Sequence, residues 1–141
     1  MQIEFRPFQT DDADQIVALW QVCGLIRPWN DPYKDIQRKL DEDPSLFRVA
    51  VCDTQVIGSV MAGFDGHRGW IYYLAVLPQY QSRGLGKRLV QDAEERLCAI
   101  GCPKIQLMIR QENNAVNAFY QTLGYEPADV LVLGKRLIAD E

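Results

Sequence analysis

The stretch Gln81-Ser82-Arg83-Gly84-Leu85-Gly86-Lys87-Arg88 brings two glycines and three cations into about two turns of chain. Apolar residues at Leu85, Leu89, Ala93 and Leu97 follow four apart, which makes one face of a helix starting near Arg83 or Gly84. The first N–H groups of a helix have no internal partner, and the macrodipole places partial positive charge there. Glycine lets the loop take φ > 0 and lets an anion approach the backbone closely. With Arg83, Lys87 and Arg88 around the same turn, the stretch is a candidate cradle for a phosphate or pyrophosphate. Spacing alone leaves one alternative open, a helix that begins at glycine and carries basic residues on its wet face.

Two common phosphate motifs are excluded by the letters. A P-loop, G-x-x-x-x-G-K-[ST], would need glycine where Gln81 stands and Ser or Thr where Arg88 stands. The dinucleotide fingerprint G-x-G-x-x-G would start at Gly84 and need glycine where Leu89 stands. What remains is Gln-x-Arg-Gly-x-Gly directly after an apolar run, Trp70 to Leu77, that Pro78 stops. This resembles the pyrophosphate signature [Q/R]-x-x-G-x-[G/A] of the GNAT superfamily of acyl-CoA N-acyltransferases. A second block, Asn113 to Tyr125, resembles that family's N-x-x-A-x-x-x-Y-x-x-x-G-[F/Y] helix, with Val116 in place of the usual Ala. The segment RPWNDP and the turn DGHRG most resemble the small bacterial YpeA-type members.

The resemblance implies an acetyl-CoA-dependent N-acetyltransferase in which a bound amine attacks the thioester directly, with acetyl-CoA as co-substrate. The alternative is a non-catalytic CoA-binding or regulatory module of the same fold. It implies that the strands holding residues 70–77 and 104–110 splay apart, and that the backbone of Leu74, Ala75 and Val76 meets the pantetheine amides as an added strand would. Gln81, Ser82, Arg83, Gly84, Leu85, Gly86 and Lys87 would hold the pyrophosphate. Tyr120 stands at the family position of the group that protonates the departing thiolate. A phenol of pKa ~10 keeps its proton at neutral pH and can give it to a thiolate whose conjugate acid lies near ~8.5. Read without the motif, Tyr120 is an aromatic packing beside Phe119 and Leu123. Asn113 either bonds the pantetheine or caps its helix.

The acceptor side is less defined. The loop between the first two helices borders the acceptor pocket in the resembling folds, and here it carries Arg27, Trp29, Asn30, Asp31 and Tyr33. Trp29 beside Asp31 could hold an ammonium by ring face and charge; equally, Trp29 could fill the core. Neither expected splayed strand contains a carboxylate or histidine, so no general base is assigned. Asp31, Asp65, His67, Glu112, Glu126 or a water chain are the candidates, with His67 read first as a surface-turn residue.

The chain has 141 residues, a net charge of −4 and 48% hydrophobic residues, which fits one domain, 1–141, of ordinary globular composition. Its acidity argues against nucleic acid, which needs a basic face, and suits an amine-bearing acceptor. Four scattered cysteines with one histidine make a zinc site improbable and suggest reduced thiols. MQIEFRPF begins as a strand rather than a signal peptide, and no apolar run is long enough to span a membrane, so a cytoplasmic protein without membrane or metal partners is expected. A homodimer is compatible with all of this.

The elements that must position these residues follow in order. Residues 2–6 alternate as a strand; Thr10-Asp11-Asp12 caps a helix carrying Ile16, Leu19 and Trp20, and Gly24 ends it. A second helix runs from Pro32 to Leu40, with Lys34, Asp35, Arg38 and Lys39 expected to face water. Strands are expected at 46–52, 56–64, 70–77, 104–110 and 130–138, and helices after Arg83 and over 114–123. This is an α/β (α+β) fold: a mixed, mostly antiparallel sheet of six to seven strands with helices on both faces.

Overall fold

A computed structural model describes residues 2–141. Five strands, β1 (Ile3–Pro7), β2 (Phe47–Cys52), β3 (Gln55–Phe64), β4 (Gly69–Val76) and β5 (Ile105–Leu107), form one sheet in sequence order. The first three pairings are antiparallel and β4–β5 is parallel. The parallel step requires a crossover, and helix α3 (Leu85–Ala99) supplies it. Helices α1 (Ala13–Val22) and α2 (Pro32–Glu42) precede β2, and α4 (Asn114–Thr122) follows β5.

Side chains alternate across the sheet, so β2, β3 and β4 feed two cores. Phe47 and Val49 of β2 meet Ile16, Leu19 and Trp20 of α1 and Ile36 of α2 on one face. Ala50, Ile57 and Val60 meet Leu85, Leu89, Ala93 and Leu97 of α3 on the other, confirming the four-residue spacing as a buried stripe. Each such large side chain contributes roughly 1.5–3 kcal/mol by leaving water. Gly58 sets how closely α3 lies on the sheet: a Cβ there would stand 2.9 Å from Leu89 Cδ1 and 3.2 Å from the Ala75 carbonyl.

The count of five strands corrects the expected six to seven. Residues 104–110 form only the three-residue β5, and the expected strand at 130–138 has no regular structure. A three-residue ladder gives a sixth strand little to pair with, and Gly134 interrupts the apolar run. The far end of the segment is also held elsewhere. Asp140 accepts from Arg38 at 2.6 Å, from Arg136 at 2.9 Å and from the Asp31 N–H at 2.9 Å.

A second correction concerns α2, whose charged residues do not all face water. Lys39 is 7% exposed, with Nζ 2.7 Å from Glu42 Oε1, and the Tyr73 hydroxyl donates to Asp35 at 2.7 Å. Lys39 lies one turn from the buried Ile36, so its alkyl stem covers apolar surface while its ammonium finds a carboxylate. All four cysteines are free; Cys52 is buried and Cys98 exposed.

One ion pair ties the sheet to α3. Arg48 Nε of β2 lies 2.7 Å from Asp92 Oδ2, and the two side chains are 6% and 12% exposed. Removing one partner of a buried pair leaves an uncompensated charge. Asp92→Ala should therefore cost about 3–5 kcal/mol, and Arg48→Met with Asp92→Leu should regain most of it. Urea unfolding midpoints check both; an unchanged midpoint in Asp92→Ala would show the pair to be solvated.

Candidate functional site

The sheet opens where β4 leaves β5. Their ladder ends at Ile71 opposite Leu107, so the β5-facing backbone of β4 from Tyr72 onward has no strand partner. On the other side, β3 register passes from Met61–Tyr72 to Ser59–Ala75, which sets Tyr73 and Leu74 against Val60 alone. This is a β-bulge, a device that bends a strand and redirects its backbone groups. Tyr73 takes φ of 53° within it, a left-handed conformation that costs a non-glycine residue about 1–3 kcal/mol.

The surroundings hold that conformation. The Trp20 ring stacks on Tyr73 with centroids 3.7 Å apart and planes 10° apart. Trp20 Nε1 donates to Ser59 Oγ at 3.0 Å, and Ser59 Oγ donates to the Tyr73 carbonyl at 2.8 Å. Burial and the bond to Asp35 push the Tyr73 phenol far above its usual pKa, so it remains a donor.

Between the parted strands lies a cleft of about 1200 Å³. The structure brings Leu74, Ala75, Val76, Gln81, Ser82, Gly84, Leu85, Gly86, Lys87, Asn113 and Tyr120 to its lining. Ser82 and Gly84 both have positive φ, 62° and 80°, and Gly84 precedes α3 with no side chain capping the helix. The first N–H groups of α3 are therefore left for a ligand. Gln81 Nε2 donates to the Val76 carbonyl at 2.9 Å, which ties the turn to the end of β4. Arg83 is not in the lining; its guanidinium lies 5.5 Å from the Tyr80 ring centroid. A Cβ on Gly86 would meet Phe119 of α4 at 3.4 Å, so the turn and α4 pack closely beside the gap.

Asn113 caps α4, its Oδ1 accepting from the Val116 N–H at 3.3 Å, and also lines the cleft. Tyr120 is 5% exposed, edge-on to Phe119 and Tyr125 at centroid distances of 5.1 and 5.4 Å. Burial alone pushes its phenol well above the usual value. It is thus both a packed aromatic and a residue of the cleft wall.

Trp29 is 54% exposed and lines the cleft, so it does not fill the core. Arg110 lies over its ring, 5.9 Å from the centroid. Asn30 joins the lining and accepts from Arg136 at 2.5 Å. Asp31 is outside the lining: its carboxylate accepts from the Tyr33 N–H at 2.9 Å and caps α2. Tyr33 donates to Asp14, and Asp65 accepts from the His67 and Arg68 N–H groups within an exposed turn. His67, Glu112 and Glu126 are exposed and outside the lining.

The carboxylates that do line the cleft are Asp35, expected from the sequence to face water, and Glu42, which the sequence reading did not single out. They stand seven residues apart in α2, two helical turns, and so share a face; that periodicity was the available signal. The bulge at Tyr73 had none, because no glycine marks it. Among the described residues no group of three or more His, Cys, Asp or Glu is placed to hold a metal, and no helix is long and apolar enough to cross a membrane.

The sequence model of the acetyltransferase (GNAT) family matches residues 13–125. A Yersinia pestis protein named acetyltransferase is 50% identical over 139 residues, 99% of either chain. In fold, the chain is similar to AAC(6')-Iy, solved with a CoA-S-monomethyl-acetylneamine bisubstrate analogue; that match has a TM-score of 0.78 at 18% identity and covers 98% of this chain and 100% of the other. It is also similar to the PaiA N-acetyltransferase of Thermoplasma acidophilum, solved with coenzyme A, with a TM-score of 0.72 at 20% identity and 92% and 93% of the two chains covered. A sheet parted at a bulge, a glycine turn opening the helix beside the gap, and relatives matched along the whole length lead to one assignment: the chain belongs to the GNAT acetyltransferase family.

Proposed function

We propose that this chain transfers an acetyl group from acetyl-CoA directly to the nitrogen of an amine. The observation that carries the reading is the gap between β4 and β5, which runs from the uncapped start of α3 to the Tyr120 ring within one cleft. The residues present fit CoA. The N–H groups around Ser82, Gly84 and Gly86, with Lys87, suit the pyrophosphate. The unpaired backbone of Leu74 to Val76 suits the pantetheine amides, and Asn113 keeps its side-chain N–H donors for the same arm. The co-substrate brings a thioester carbonyl, and an N–H from the bulged part of β4 polarises its oxygen as charge develops there.

In the chemical step the amine lone pair forms the new C–N bond, the C–S bond breaks, and sulfur leaves with the electron pair. Tyr120 donates a hydrogen bond to that sulfur and supplies its proton. Burial raises the phenol, so it reaches the step with its proton in place. The nitrogen sheds its extra proton to water in the cleft. Trp29 and Asn30 form part of the acceptor wall. The four free thiols accord with a reducing, cytoplasmic setting.

A second copy of the chain belongs to this reading as a partner. Val130, Leu131, Val132, Leu133, Leu137 and Ile138 are between 63% and 90% exposed, and β5 has no strand on its outer edge. An exposed apolar run beside an unpaired edge is a template for strand addition. Sedimentation should find a dimer that Leu131→Glu with Leu133→Glu dissociates; a monomer at all concentrations would remove it.

Gly86→Glu places negative charge against the pyrophosphate and crowds Phe119. Acetyl-CoA affinity by calorimetry should fall at least tenfold, ~1.4 kcal/mol, with the fold retained. Unchanged affinity in a folded variant would end the cradle assignment. Tyr120→Phe should leave acetyl-CoA binding nearly intact and lower kcat by roughly 10²-fold. Because the raised phenol keeps its proton, wild-type kcat should show no alkaline fall from Tyr120 up to about pH 10. An unchanged kcat with a raised KM would leave Tyr120 a binding role only. Saturable CoA binding without thiol release toward any amine would favour the non-catalytic module.

A further inference from the structure

The charges along the cleft do not resemble those of the chain. The whole protein has 19 acidic and 15 basic residues, whereas the cleft lining has two acidic and five basic ones. Both acidic groups are already engaged. Asp35 accepts from the Tyr73 hydroxyl at 2.7 Å and lies 3.2 Å from Arg38, and Glu42 is paired with Lys39 at 2.7 Å. Three cations of the lining, Arg27, Lys87 and Arg110, have no carboxylate in ion-pair reach among the described residues. Lys87 belongs to the first turn of α3, where the phosphates are proposed to sit. The other two do not.

Arg27 and Arg110 both line the cleft beside the α1–α2 loop. Arg27 lies two residues before Trp29, and Arg110 lies over the Trp29 ring. Among the described residues Arg27 uses only Nη1, donating to the Gly24 carbonyl at 2.7 Å and the Ile26 carbonyl at 3.4 Å, so Nε and Nη2 have no acceptor there. Arg110 makes no side-chain hydrogen bond among the described residues, and its contact is the ring face. Two guanidiniums with open donors on one rim form a receptor for a planar oxyanion, which a guanidinium fork binds through two parallel bonds. A polycation would find no open carboxylate there and would face two unneutralised guanidiniums.

We propose that the acceptor is an amine that also carries a carboxylate, and that Arg27 and Arg110 bind this carboxylate at the rim beside Trp29. The inference rests on the acetyl-transfer reading for the amine and adds the substrate class. It agrees with the chemistry at nitrogen. A neighbouring cation disfavours the ammonium form, so guanidiniums that anchor the carboxylate also lower the amine pKa toward the neutral nucleophile the step requires. Trp29 keeps a role as the flat surface that holds Arg110 in place.

The test is read from binding as well as turnover. The CoA-loaded protein is titrated with N-acetylglycine, N-acetylleucine and N-acetylphenylalanine and with the amide of each; initial rates are measured with the free amino acids and their amides. At least one acid should bind tenfold or more tightly than its amide, ~1.4 kcal/mol, and the same side chain should show the same preference in kcat/KM. Arg27→Ala and Arg110→Ala should each cut the preference to threefold or less, and Arg110→Lys should retain part of it, with acetyl-CoA affinity unchanged in all three. Equal binding of acid and amide, binding of neither, or a preference that survives in both alanine variants would overturn the proposal. So would variants that weaken acetyl-CoA instead, since the guanidiniums would then serve the co-substrate. Absence of thiol release with every amine would count against acetyl transfer alone, because the acid-to-amide comparison in binding stands without it.

Discussion

A tyrosine in mid-strand at φ of 53° is the constraint on which the site depends. If Tyr73 returned to extended geometry, β4 would regain regular register with β3 and its backbone would no longer be turned toward the gap. Strain of this size persists only when neighbours over-determine it. Here three contacts act on one residue: the Trp20 ring against its face, Ser59 on its carbonyl and Asp35 on its hydroxyl. They come from α1, β3 and α2, so the bulge depends on tertiary structure rather than on local preference. The same contacts explain why Trp20 and Ser59 are completely buried. The core of this protein is in part a clamp for its active strand.

The sequence made some of this legible and concealed the rest. The four-residue spacing from Leu85 to Leu97 gave α3, and two glycines at its start gave the turn, because periodicity and φ > 0 are local demands. The apolar run at 70–77 gave β4 for the same reason. The segment at 130–138 misled: its composition suits a strand, but strands need partners, and β5 offers three residues. Asp35 and Lys39 misled in the opposite sense. Charged residues on a short helix ordinarily face water, and only the cleft beneath α2 gives them somewhere else to go. Asp31 was plausible by position, yet a carboxylate just before Pro32 at a helix start has a nearer task in capping.

Net charge was the weakest guide. An acidic chain suggested a cationic acceptor, but total charge describes solubility and long-range attraction, while recognition depends on groups left without partners. The acidic excess lies largely outside the cleft, and within it each carboxylate already has a cation. A counting argument over the whole chain therefore does not describe the charges that line the cleft. What matters is which donors remain open once the protein has satisfied itself.

Gly58 bears on the tolerance of the site to change. Helix α3 carries the glycine turn at its first residues and rests on the sheet where Gly58 offers no side chain, with Leu89 Cδ1 only 2.9 Å from where a Cβ would be. A methyl group there would press on the tip of the Leu89 side chain and stand 3.2 Å from the Ala75 carbonyl, so the packing between α3 and the sheet would have to give. The fit of the helix that carries the turn thus depends on a residue of β3 that has no side chain. A substitution at Gly58, which is outside the cleft lining, would act on the site through packing alone.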